Sequence, residues 1–121
     1  MERIRMMLDR GMEYLITDDH EIGARSKGMR RFARMMGTDL RKMIREAGGM
    51  DPEIKTGYFT AWGFFTSPSG TWYISTGDWR SSPGSLMIRR VRDRLDYTGA
   101  VNQYIEIGKG SSQQLGEIIK C

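Results

Sequence analysis

Apolar positions in the first third of the chain recur at three- and four-residue intervals. Ile4, Met7, Leu8, Gly11, Tyr14 and Leu15 fall on one face of a helix running from about residue 2 to 16. A polar cluster from Thr17 to Glu21, followed by Gly23, ends that pattern. The same period then returns in Met29, Phe32, Ala33, Met36, Leu40, Met43, Ile44 and Ala47. Gly37 suits a C-terminal cap and Thr38 an N-cap, so this stretch predicts two helices broken near residue 37 and stopped at Gly48-Gly49.

After residue 56 the period shortens. The runs Gly57–Thr66 and Thr71–Thr76 are aromatic and β-branched, and Ser67-Pro-Ser-Gly70 between them reads as the turn of a β-hairpin. Leu86–Arg92 and Asn102–Ile107, separated by turn residues, predict two more antiparallel strands. Ser111 with Gln114 forms a capping-box pattern, and Leu115, Ile118 and Ile119 give a short C-terminal helix its apolar stripe. The expected fold is α+β, a single domain over residues 1–121. Helical residues 1–49 pack by their Met face on one side of a four-stranded antiparallel sheet (57–107), and the C-terminal helix (111–120) closes an edge. An open sheet leaves two edges to cover, which makes a homodimer one expected assembly.

Length and composition agree with one domain: 121 residues, 39% hydrophobic and 28% charged. The one cysteine, Cys121, permits neither an intramolecular disulfide nor a multi-cysteine zinc site, and no cofactor or metal is expected. The opening MERIRMMLDR has no apolar stretch of signal-peptide length, so the expected location is the cytoplasm, or a host's cytoplasm for a viral protein, with no membrane partner.

Charge adds the sharpest feature. The net charge of +4 is local: residues 23–45 hold eight Lys or Arg against Asp39 alone, whereas residues 46–121 balance at eight against eight. Arg25, Lys27, Arg30, Arg31, Arg34, Arg41, Lys42 and Arg45 fall opposite the Met and Phe positions, a face able to neutralise phosphates; an ordinary solvated helix face is the alternative. Phe32–Gly37 followed by Leu40–Gly48 looks like a helix-turn-helix, although Thr38 stands where an apolar residue would anchor the turn. A second cluster, Arg90, Arg92 and Arg94, would share one strand face at about 7 Å intervals, unless it is the charged guard of an edge strand.

Trp62, Trp72 and Trp79 with Tyr58, Tyr73 and Tyr104 could offer stacking platforms beside those arginines, as in single-strand-binding sheets. Trp62 and Trp72 are expected in the core under the Met-rich helices. Aromatics of a small sheet are more often core, and Trp79, whose neighbours Asp78, Arg80 and Ser81 suggest exposure, is the one kept as a candidate for stacking. Gly108, Lys109, Gly110, Ser111 and Ser112 run from a strand into a helix start, where free amides favour an anion, but the spacing is not that of a triphosphate-binding loop. His20 is the one histidine, so any Ser-His or Cys-His relay would depend on it, and no catalytic set is identified. Gly77-Asp-Trp-Arg80 followed by Ile88–Tyr97 is similar to strand segments of small ribosome-dependent mRNA-cleaving toxins. That resemblance covers under a fifth of the chain, is one strand short in spacing, and implies an RNA-cleaving domain as a third reading.

The leading expectation is a non-enzymatic binding protein that contacts nucleic acid or another phosphate-rich ligand through its basic helix face. The alternative is an inhibitor or adaptor, of the kind a virus or mobile element encodes, that binds an acidic or nucleic-acid-handling host protein. A protein sequestering a small nucleotide through the 108–112 loop joins the third class.

Overall fold

The apolar stripe of residues 29–44 winds into one unbroken helix. The computed structural model describes residues 1–10, 27–81, 83–96, 99 and 101–120. Its elements are α1 (Glu2–Asp9), α2 (Lys27–Glu46), β1 (Met50–Thr56), β2 (Ala61–Ser67), β3 (Gly70–Ser75), β4 (Ser85–Val91), β5 (Gln103–Glu106) and α3 (Ser111–Ile119). The break expected at Gly37 does not occur. A Cβ on Gly37 would stand 3.3 Å from the Arg41 side chain and 3.4 Å from Thr56 on β1, so this glycine serves close approach of helix to strand rather than a cap. The helix-turn-helix that this segment resembles in sequence is not formed, because helix occupies the place of its turn. The second half of the expected first helix lies outside the described residues.

Five strands, where four were expected, form one antiparallel sheet in the order β1-β2-β3-β4-β5. The strand missed from sequence is β1. Met50 pairs with Thr66, the register slips through Asp51 (φ 50°) and Pro52, and pairing resumes at Glu53 opposite Phe64. Asp-Pro reads as a turn in sequence. On an edge strand a bulge and a proline are tolerated, and they blunt the exposed edge.

The three described helices lie on one face of the sheet. From α2, Met29, Phe32, Met36, Leu40, Met43 and Ile44 are buried with Ile54, Phe65, Trp72, Ile74, Leu86 and Ile88 of the strands. Ile4 and Leu8 of α1 and Leu115 and Ile119 of α3 complete the cluster. Polar ties fix the flanking helices. Arg3 grips Asp39 through two hydrogen bonds of 2.6 and 2.8 Å, which raises the Arg3 guanidinium above its ordinary pKa and joins α1 to α2. The hydroxyls of Ser67 and Ser69 donate to the Ile119 carbonyl at 3.4 and 2.6 Å, and the Trp72 indole donates to Ser67 at 2.9 Å, so α3 is moored to the β2–β3 hairpin. The expected capping box is replaced by contacts to β5. Gly110 is the N-cap, the Ser111 hydroxyl donates to the Glu106 carbonyl, and Gln114 accepts the Glu106 N–H. Among the described residues no helix is long and apolar enough to cross a membrane.

The β1–β2 pairing depends on a missing side chain. A Cβ on Gly63 would overlap the Glu53 carbonyl across the ladder. Gly63→Ala should therefore cost about 2–3 kcal/mol, measured as a lower urea midpoint. An unchanged midpoint would show that β1 is not paired there.

Candidate nucleic-acid interface

Burying the Met and Phe face of α2 fixes where its charges point. At about 100° per residue, Lys27, Arg30, Arg31, Arg34, Arg41, Lys42 and Arg45 fall within about 120° of one another, with Thr38 in the middle of the stripe. The stripe runs for about 27 Å along the helix. Every residue of it is solvent-exposed except Arg41, which is half-buried because its guanidinium donates to the Ile54 carbonyl at 2.8 Å and so satisfies the outer edge of β1. Arg31, Arg34 and Arg45 have no ion-pair or hydrogen-bond partner among the described residues. Lys42 has only a loose pair with Glu46 at 3.9 Å. Arg25 lies outside the described residues. Asp39, the one acid of the segment, is off the stripe and neutralised by Arg3.

Such an arrangement is unfavourable in isolation. Lys27/Arg31, Arg30/Arg34 and Arg41/Arg45 are like-charge pairs at i,i+4, each costing about 0.2–0.5 kcal/mol in an exposed helix. Near the start of the stripe, Lys27, Arg30, Arg31 and Arg34 line a shallow hollow of about 330 Å³. A second hollow, of about 260 Å³, separates Arg30 and Arg34 from the β1–β2 turn, where Tyr58 is 78% exposed.

The other basic cluster does not form the row expected of it. β4 ends at Val91, so Arg90, Arg92 and Arg94 do not share one strand face. Arg90 is bonded to the Ser69 carbonyl, Arg92 faces Asp93 and Asp96, and Arg94 reaches Glu53 at 2.8 Å and the Phe64 carbonyl. Two acids in the turn, Asp93 and Asp96, explain the departure: Asp93 accepts the Leu95 N–H and curls the chain out of the strand. In the 108–112 loop, Ser111 is buried, and its hydroxyl accepts the Gly108 N–H while donating to Glu106. Lys109 and Ser112 line a hollow of about 610 Å³ with Lys42, but Glu2, Asp39 and Glu46 line it as well, so its charge does not select an anion.

Trp79 is not a stacking platform. It is 1% exposed, packed edge-on to Phe32 at 5.1 Å, with its indole N–H 3.4 Å from the Met29 sulfur. Its polar neighbours misled because they bind each other. Arg80 donates both its backbone N–H and its guanidinium to Asp78, which pulls the Asp78 carboxyl below the usual carboxylate range. The Arg80 guanidinium sits 3.6 Å over the Phe59 ring, and the tight turn drives the tryptophan between them inward. Trp72 is in the core as expected. Trp62 is not: it lies on the sheet face opposite the helices.

That face brings Trp62 together with Tyr73 and Tyr104, which the sequence offered as stacking platforms while placing Trp62 in the core. Two transverse rows follow from the strand register. One runs Lys55, Trp62, Ser75, Met87, Tyr104, and the other runs Glu53, Phe64, Tyr73, Arg89. Phe64 and Tyr73 touch at 5.3 Å between centroids, and the Arg89 guanidinium lies 5.7 Å from the Tyr73 ring centre. Trp62, Phe64, Tyr73, Arg94 and Leu95 border a hollow of about 430 Å³. The signal was present as alternation. Trp62 and Phe64 take the opposite parity to Phe65, and Tyr73 the opposite parity to Trp72, so half of each aromatic run had to face away from the helices.

Trp62 is the tryptophan left accessible, which acrylamide quenching can read: Trp62→Phe should remove the quenchable fraction of the emission. Trp79→Ala should destabilise the fold by about 3–5 kcal/mol. If Trp79→Phe removed the quenchable fraction instead, this assignment of the faces would be wrong. No protein-family model, curated protein or solved structure matches the chain.

Proposed function

We propose that the chain is a nucleic-acid-binding protein whose α2 stripe neutralises backbone phosphates. The observation that carries this reading is the one-sided stripe, with Arg31, Arg34 and Arg45 unpaired among the described residues and the segment's one acid sequestered by Arg3. Phosphate contacts position a protein on nucleic acid without reading its sequence. The fork of an arginine suits a phosphate oxygen pair better than a lysine ammonium does, and five of the stripe's seven described cations are arginines. A tyrosine exposed beside Arg30 and Arg34 adds an aromatic surface to the same region.

Fluorescence anisotropy with labelled 20-mers at two salt concentrations tests this. Micromolar or tighter affinity is expected at low salt, falling linearly on a log–log plot as salt rises. Arg31→Ala/Arg34→Ala/Arg45→Ala should reduce that slope by about 2–3, since each neutralised phosphate contributes about 0.7–0.9. The same variant should melt no lower than the parent at low salt, because it removes repulsion and breaks no contact. Absence of binding at low salt, or an unchanged slope in the triple variant, would refute the stripe as the contact.

A further inference from the structure

We infer that the open face of the sheet is a base-stacking surface for single-stranded nucleic acid, a second site on the far side of the molecule from the α2 stripe. An antiparallel sheet with one free face ordinarily shows polar side chains there. This face instead carries Trp62, Phe64, Tyr73, Met87 and Tyr104, the last 64% exposed. Cations are interleaved with the rings: Lys55 pairs in register with Trp62, Arg89 lies against Tyr73, and Arg94 borders the hollow beside Trp62 and Phe64. Two acids share the face: Glu53, which Arg94 pairs at 2.8 Å, and Glu106, two residues beyond Tyr104 at the β5 edge.

That combination selects an occupant. An apolar partner surface would bury the Lys55 ammonium beside Trp62, whereas a single strand offers a flat base to each ring and a phosphate to Lys55, with the Arg89 guanidinium held at the Tyr73 ring by its hydrogen bond to the Asn102 side-chain oxygen at 2.7 Å. Stacking on aromatic side chains tolerates any base, and flanking positive charge tracks the backbone. Spacing agrees. Trp62 and Tyr104 stand three strand spacings apart, about 14 Å, with Met87 in the row between them, which is room for a short run of unstacked nucleotides. A duplex could not use the surface, because its bases are stacked and paired and present no free face.

The two sites also join. The β1–β2 turn that borders the α2 stripe at Tyr58 lies against the sheet-face tryptophan, where a Cβ on Gly57 would stand 3.2 Å from the Trp62 ring. A strand held by Arg30 and Arg34 can pass over this turn and lay its bases on Trp62. The inference shares its ligand class with the proposed function but rests on different residues.

Binding of a fluorescein-labelled dT20 and of a 20-base-pair duplex to the full-length chain separates the two. Trp62→Ala/Tyr104→Ala should weaken dT20 binding at least about tenfold and leave duplex affinity unchanged. Trp62→Phe, which keeps a ring and the packing, should stay within about threefold of the parent, and circular dichroism melting of each variant reports folding. Trp62 emission should be quenched on adding dT20 and not on adding duplex. If the double variant, still folded, binds dT20 as tightly as the parent while the α2 triple variant does not, the sheet inference fails and the stripe stands. If the sheet variant weakens dT20 binding and the stripe variant changes nothing, the stripe reading fails and the sheet site stands. Equal weakening of duplex and single strand, or a dimer in sedimentation that Trp62→Ala/Tyr104→Ala dissociates, would overturn the inference, the latter by showing that a second copy covers the face.

Discussion

A five-stranded meander has two faces, and the helices described here cover one of them. That constraint orders everything else. α2 crosses the inner face closely, with Gly37 against Thr56 and Arg41 on the Ile54 carbonyl, and buries an apolar stripe from Met29 to Ile44. Once that stripe is committed, the remaining third of the helix circumference must face solvent, and it is there that the chain places its cations. None of the described helices covers the outer sheet face, and the side chains with the wrong parity for the core, Trp62, Phe64, Tyr73 and Met87, are half-buried there rather than packed under a helix.

Legibility followed the strength of the period. The apolar spacing of 29–44 and the paired aromatic runs around Ser67-Pro-Ser-Gly70 were plain in the sequence, because each is a long repeat tied to burial on one side. β1 was not. Its pairing is interrupted by a bulge at Asp51 and Pro52, and a single inward residue between exposed ones, Ile54, is too little alternation to be read. Gly37 was misread for a different reason. Local chemistry allows a glycine to end a helix, and only the tertiary approach of β1 shows that it lets one pass.

The candidate site was half legible. The placement of Lys27, Arg30, Arg31, Arg34 and Arg45 on one exposed stripe follows from helical arithmetic and could be drawn before any coordinates. Arg41 could not be separated from them, since its hydrogen bond crosses to another element, and neither could the dispersal of Arg90, Arg92 and Arg94 be foreseen while β4 was taken to run past Val91. The tryptophans show the deeper limit. Polar neighbours argued for exposure of Trp79, yet Asp78 and Arg80 satisfy one another and the ring turns inward. An aromatic run argued for burial of Trp62, yet a strand has two sides and the helices cover one.

Both exposed features carry a cost. Like charges along α2 repel, and aromatic rings on an open sheet face keep apolar surface in water. The core itself is complete, with no buried side-chain nitrogen or oxygen lacking a partner among the described residues. Substituting polar residues on the sheet face or alternating charges on the helix would leave that core untouched. On the proposed reading, an anionic, ring-bearing polymer would relieve both costs at once, its phosphates screening the arginines and its bases covering the rings. The turn at Gly57 and Tyr58 is where one such polymer would cross from the first surface to the second. This joint compensation, rather than the basic charge alone, favours a single strand over a duplex or a free phosphate.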